Sequence, residues 1–380
     1  TESPHYLNHY RRTIAHNTVL VYQPGEPFFW SENRWPAAND GGQRMDSSRF
    51  WNSVRSLEDW RRTRDLWDRC TMSPVATEAT YRYARADATR AYQPSKLESF
   101  TREIVHLRET NALVVLDRVR AKDPGYRKAW LLHGVSEPKV VASAAGASVG
   151  HGGTSHRDAS VVTFEDGEGR LRVHSLLPRE REVVVRGGPG FEFWTPGDEH
   201  GGAWGSGQNW PLDPPEGGPL PEDPHLLKMW KTFWDGIDRL SPSNRRAVVP
   251  GAWRMEVSPV VPSKEDVFLH VLEIGDRDGI PARRVVAIEG SGLAGAAIEG
   301  EAVVLFASAA FGEATLPDVK TRTLLLAGLE PRVPYEVQVT SGFAPGAPVW
   351  RDTAEAGDEG TLSLPWDAVR DGRLRLRRQR

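Results

Sequence analysis

A chain of 380 residues has room for two domains, or for one large β domain with a smaller appendage, and 39% hydrophobic beside 26% charged residues fits a globular protein with a real core. A net charge of −3 excludes the broad basic surface of a nucleic-acid binder, and the single cysteine, Cys70, excludes an intrachain disulfide and a Cys-based metal site. No apolar run reaches the roughly 18 residues of a membrane-spanning helix, and no secretory leader is recognisable at the start. The cations are 40 Arg against 8 Lys. A planar guanidinium suits carboxylates and sulfates, and a GC-rich genome yields the same bias, so both explanations stand.

In chain order, the first predicted element is the strand "TVLVY" (18–22), rich in β-branched and aromatic residues and closed by the turn signal "QPGEP". His16 and Asn17 sit at its mouth, where a polar pair serves either as a turn device or as part of a site. In "AANDGGQR" (37–44), Gly41 and Gly42 permit a tight turn with positive φ that presents Gln43 and Arg44 together. An amide beside a guanidinium suits a uronate or a hydroxyl cluster; an ordinary Asx turn is the alternative. A short helix is predicted within 56–70. Strands follow at 80–86, 112–121, 127–134, 159–167, 171–178 and 266–276, with hairpins in "FTREIVHLRETNALVVLDRV" and "FEDGEGRLRVHSLLP".

His106, His174 and His270 fall inside β runs and read as satisfied core or cross-strand residues, whereas His133 ends its strand and stays open. "GHGGTSH" (150–156) lacks the helical spacing of a zinc pair. The Gly/Pro/Trp-rich stretch 187–223 reads as a long loop packed by its own aromatics, and 224–240 as an amphipathic helix. After Asp278 the β runs become shorter and smoother. The predicted fold is mostly β: a large antiparallel two-layer β-sandwich over 1–276, then a small C-terminal β-sandwich over 277–380.

Five stretches taken in order carry a resemblance: "HYLNHYRRTIAHNTVLVYQPGE", "NDGGQR", "VVLDRVRAKDPGYRKAWLLHG", "RVHSLLPREREVVVRGGPGFEFW" and "GAWRMEVSPVVPSKEDVFLHVL". Together they resemble the heparinase II/III-like polysaccharide lyases, heparinase II more nearly, over residues 3 to 275. The resemblance implies a helical toroid before a large sandwich, and β-elimination of uronate-containing acidic glycans such as glycosaminoglycans or alginate. It also implies a zinc site in the sandwich and a periplasmic or secreted location. Elimination needs the uronate carboxylate neutralised, a base for the C5 proton and an acid for the leaving oxygen. By this correspondence His16 is a zinc ligand whose partners lie in an earlier segment; Gln43 and Arg44, from their own chemistry, are candidate substrate contacts, with His5 and Tyr6 a further pair near the expected cleft edge. The catalytic Tyr and His belong to the toroid, so this chain is expected to be the C-terminal part of a larger enzyme, compatible with a homodimer. The alternative is a non-catalytic carbohydrate-binding or scaffolding sandwich.

Overall fold

A computed structural model describes residues 5–30, 35–44, 54–64, 68–196, 207–210, 228, 251–341, 350–365 and 372–379. The protein is mostly β, and its strands gather into three large sheets. In the first, six strands run in the order Val19–Tyr22, Arg127–Gly134, Trp253–Pro259, Arg181–Gly187, Gly153–His156 and Ala147–Gly150. The central sheet has nine strands, with Gly169–Leu177, Glu265–Asp276, Ala112–Ala121 and Leu97–Leu107 adjacent at its middle. Every pairing in these two sheets is antiparallel. Both expected hairpins are present: Leu97–Leu107 pairs with Ala112–Ala121, and Val161–Asp166 with Gly169–Leu177.

The two-layer sandwich follows from period-2 alternation. Val19, Val21, Trp130, Leu132, Val183, Met255 and Val257 of the first sheet meet Phe100, Val115, Val119, Phe268 and Leu272 of the central sheet in one buried core. The central sheet is covered on its other face as well. Val105, Val114, Leu116, Leu269 and Val271 pack there against Ala296, Ile298, Val304, Phe306 and Leu325 of the third sheet. A strand buried on both faces reads as a nearly continuous apolar run, which is why "ALVVLDRVRA" scarcely alternates. Polar ties cross the same interface. The Tyr83 hydroxyl donates to Glu103 at 2.7 Å, Arg118 pairs with Glu103, and Arg118 Nη2 reaches the Phe306 carbonyl at 3.0 Å.

The third sheet contains all nine described strands from Val285 onward, including one parallel pairing between Ala302–Ala307 and Thr323–Ala327. It curls into a nearly closed barrel-like form over its own core of Ile288, Leu305, Leu326, Val337 and Leu374. No described strand is shared between this sheet and the sandwich.

Two details differ from the sequence reading, and one expected element lies outside the described residues. Among the described residues the helix within 56–70 spans Leu57–Arg62, with Arg64 helical beyond Thr63; it is capped by Ser56, whose hydroxyl accepts from the Asp59 N–H at 3.0 Å, and Leu57 and Trp60 stay exposed rather than packing. His106 and His174 are satisfied, by Asn111 at 3.1 Å and Glu273 at 2.8 Å. His270 is not: it stacks on Trp130 at 3.8 Å, fully buried, with neither ring nitrogen hydrogen-bonded among the described residues. The helix expected over 224–240 falls, apart from Lys228, outside the described residues.

Candidate functional site

On the strand Arg127–Gly134, Trp130 and Leu132 point into the sandwich core, so Arg127, Ala129, Leu131 and His133 face outward. The same parity puts Arg254 and Glu256 outward on Trp253–Pro259, and Arg186 outward on Arg181–Gly187. Register then aligns His133, Arg254 and Arg186 as direct cross-strand neighbours. Two strand spacings, about 10 Å in all, separate the ends of this row.

The row carries excess positive charge. Glu256 Oε1 takes Arg254 Nε at 2.7 Å and lies 3.4 Å from Arg186 Nε. Burial opposes ionisation of Glu256, yet Arg254 and Arg186 together hold its pKa below the usual carboxylate range. One carboxylate thus serves two guanidiniums. Arg254 also donates from Nη1 to the Trp194 carbonyl at 2.8 Å, and its Nη2 is buried without a hydrogen-bond partner among the described residues. Arg186 lies over the Trp194 ring at 4.3 Å and holds the carbonyls of Gly150 and His151 at 2.9 and 2.7 Å. The His151 ring stacks on Trp194 at 4.9 Å. Trp194 belongs to the stretch expected to be packed down by its aromatics, and its described residues Phe193, Trp194 and Trp210 are buried.

His133 is held at three points. Its backbone N–H donates to Asn17 Oδ1 at 3.0 Å, and its ring nitrogens lie 2.9 Å from that same oxygen and 2.8 Å from the Ile14 carbonyl. Burial, then the charge of Arg254, pushes its pKa down to about 4, so at neutral pH the ring is uncharged and has one N–H to share between two acceptors. Asn17 is itself anchored from inside the sandwich. Arg102 Nη1 donates to the Asn17 carbonyl at 2.6 Å, and Asp117 grips Arg102 through two contacts of 2.7 Å. The polar pair at the strand mouth therefore divides its labour: Asn17 orients His133, while the His16 side chain is exposed.

A layer formed by the N-terminal segment covers the rest of this face. A π-helical turn, Tyr6–Tyr10, carries His9, buried beside Phe193 at 5.2 Å. Burial and then Arg254, with the other nearby histidines, hold His9 neutral. His5 is buried too. Its Nδ1 lies 2.6 Å from the Trp210 carbonyl and its ring meets Phe193 edge-on at 4.7 Å, which makes it a packing anchor rather than an exposed substrate contact. The Tyr6 side chain lies outside the described residues.

Gln43 and Arg44 sit on the other flank of the Thr13–Ala15 turn. The Gln43 N–H donates to Thr13 Oγ1 at 2.7 Å, one residue before the Ile14 carbonyl that holds His133. The Arg44 N–H bonds the Ala91 carbonyl at 3.0 Å, and Arg69 Nη1 lies 3.3 Å from the Arg44 carbonyl. Burial and neighbouring guanidiniums lower the pKa of both arginines, Arg69 to about 10. Gly41 adopts the expected positive φ, +75°; Gly42 is required for space, since a Cβ there would stand 2.6 Å from Thr13 Oγ1. Beneath the loop lies a buried ionic lattice that sequence patterns did not disclose. Arg12 pairs with Asp40 at 2.6 Å and Lys96 with Glu26 at 2.5 Å, and both cations lie against the Phe28 ring. Lys96 also holds the Gly42 carbonyl at 2.7 Å, fixing the loop from below.

Among the described residues no group of three or more His, Cys, Asp or Glu side chains is placed to hold a metal, and an exposed His16 supplies one donor of the four a structural zinc takes.

No protein-family profile matches the chain, and no curated protein matches it either. Among solved structures it is similar to the heparan sulfate lyase HepC from Pedobacter heparinus, at 9% sequence identity and a TM-score of 0.31, and to a mutant of that enzyme at 10% and 0.31. Each match covers 60% of this chain and 26% of the lyase, so the chain spans about a quarter of its length. A likeness of that depth carries no argument, and the functional reading rests on the residues.

Proposed function

We propose that this chain supplies the sandwich wall of a cleft that takes uronate-containing acidic glycans and cuts them by β-elimination. The observation that carries the reading is the pairing of a neutral imidazole, His133, with the incompletely compensated cation Arg254 at one edge of the outer face. Acidifying a uronate C5 proton requires its carboxylate to be neutralised, and a positive potential fixed in a dry sheet face favours that state. Proton transfer is assigned to no described side chain; it belongs to a helical toroid of the same protein, as does the remainder of any zinc site that includes His16. A periplasmic or secreted location is part of the same proposal, since acidic polysaccharides are met there.

One observation favours a second reading, a non-catalytic glycan-binding module: both ring nitrogens of His133 already face oxygen acceptors, leaving none free for a substrate proton. Two assays separate the readings, the first on residues 1–380. Retention of heparan sulfate or alginate over a neutral glycan, weakened in Arg254→Met that still melts cooperatively, supports an acidic-glycan wall; equal retention of neutral glycan overturns the acidic-glycan wall, and retention of no glycan overturns both readings. Unsaturated uronate released by the protein joined to its toroid distinguishes the lyase from the binding module.

A further inference from the structure

The outer face of the first sheet holds a second feature, beyond the apolar patch of Ile14, Leu20, Ala129 and Leu131. There a cavity of about 310 Å³ opens between the start of the strand at Arg127, the Arg157 and Glu182 side chains, and the segment 258–263. Arg127 shares the parity of His133 and lies six residues earlier on the same strand, about 20 Å away.

Its construction is rigid. Pro124, Pro259 and Pro262 form much of the wall with φ fixed by their rings. Behind the wall the buried Lys128 ammonium pairs with Asp266 at 2.8 Å and donates to the Ser263 carbonyl, clamping the 258–263 segment to the sheet. The polar groups are unevenly committed. Arg127 and Arg157 are exposed and form no ion pair within 4 Å among the described residues. Among the described residues Glu182 accepts one side-chain hydrogen bond, from the Ser155 hydroxyl to Oε1 at 2.6 Å.

We infer that this cavity is a binding site for one acidic sugar unit, carboxylated or sulfated. Two guanidiniums in a concave site attract an anionic group. A bare anion would also meet the Glu182 carboxylate, which repels it. A sugar ring bearing an anion at one edge and hydroxyls at another satisfies both signs, the hydroxyls donating to Glu182 and bonding Ser258. The proline and valine surfaces take the ring's C–H face. The volume lies at the lower end of the roughly 300–1,000 Å³ typical of small-ligand sites, which suits a single ring. The identity of the ligand rests on the acidic-glycan reading; the cavity and its charges do not.

The test is ligand-observed NMR with glucuronate and glucosamine 6-sulfate, against glucose and inorganic sulfate, on the wild-type chain and on the double variant Arg127→Gln/Arg157→Gln. Both positions are exposed, and a thermal melt confirms that the variant folds. Binding of a charged sugar that weakens about tenfold or more in the variant, with glucose silent and sulfate at least about tenfold weaker, is the expected result. Unchanged binding in the variant, glucose binding equally, sulfate binding as tightly as the sugar (an anion site only), or no binding at all each overturns it. Elimination plays no part in this readout. A protein that binds acidic sugars here and yields no unsaturated uronate with its toroid keeps this site and loses the lyase reading.

Discussion

Arg254 and His133 stand directly opposite each other on neighbouring strands of the first sheet, and after burial itself the guanidinium is the largest influence keeping that imidazole uncharged. Removing the charge in Arg254→Met is expected to raise the His133 pKa from about 4 toward the ordinary 6.5, read by NMR titration of the ring. A pKa that stays near 4 would assign the depression to burial alone.

The same group sets a pH dependence. The folded state binds a proton on His133 less readily than the unfolded chain, so between pH 6.5 and about 4 the unfolded state holds more protons. This contribution leaves stability intact above pH 6.5. As pH falls toward 4 it removes up to about 1.4 kcal/mol per unit. Urea midpoints across that window, compared between wild type and His133→Gln, are the check: the variant's profile should be flatter.

Lys96 and Glu26 form a buried pair, with burial pulling the Lys96 pKa down and the Glu26 pKa up against their mutual attraction. Lys96→Met strands a carboxylate and releases the Gly42 carbonyl, for an expected loss of about 3–5 kcal/mol in denaturant unfolding. Glu26→Leu added to it should recover much of that loss. A double variant no better than the single one would place the cost in the Gly42 contact.

His270 lies in the core with two unbonded ring nitrogens, held there by its stack on Trp130. A phenyl ring keeps the stack and removes the unsatisfied groups, so His270→Phe should leave stability unchanged or raise it by about 1–3 kcal/mol. A lowered melting temperature would show that the imidazole has a partner, such as a bound water.

For zinc, one exposed imidazole predicts weak uptake by residues 1–380, with His16→Ala leaving the melting temperature unchanged in the presence of the metal. Tight, His16-dependent uptake would place further donors among residues outside the described set.

The β architecture was legible because each strand carries its own pattern, and the hairpins sit where turn residues interrupt apolar runs. The site was less so. His16 and Asn17 stand out as a pair, but the residue that Asn17 serves, His133, lies more than a hundred positions on and joins it only through sheet register. Arg254 and Arg186 look like ordinary surface arginines until strand parity places them beside His133. Lys96, Glu26, Arg12 and Asp40 carry no local signal at all, because a buried ion pair is a property of the folded chain. A parity count along "RKAWLLHG" and "GAWRMEVSP" would have put His133 and Arg254 on one face, and strand order was the missing piece.

The strand Ala302–Ala307 is buried throughout, its odd-numbered residues turned into the barrel's own core and its even-numbered ones toward the central sheet. A cut at residue 276 would therefore not fall in a linker. It would strip the cover from Val114, Leu116, Leu269 and Val271 and leave a sticky apolar plane facing water, the kind of surface on which truncated proteins precipitate during expression. Anyone shortening this protein for crystals or assays should carry the chain through its last strand, because the C-terminal part is the outer wall of the same building.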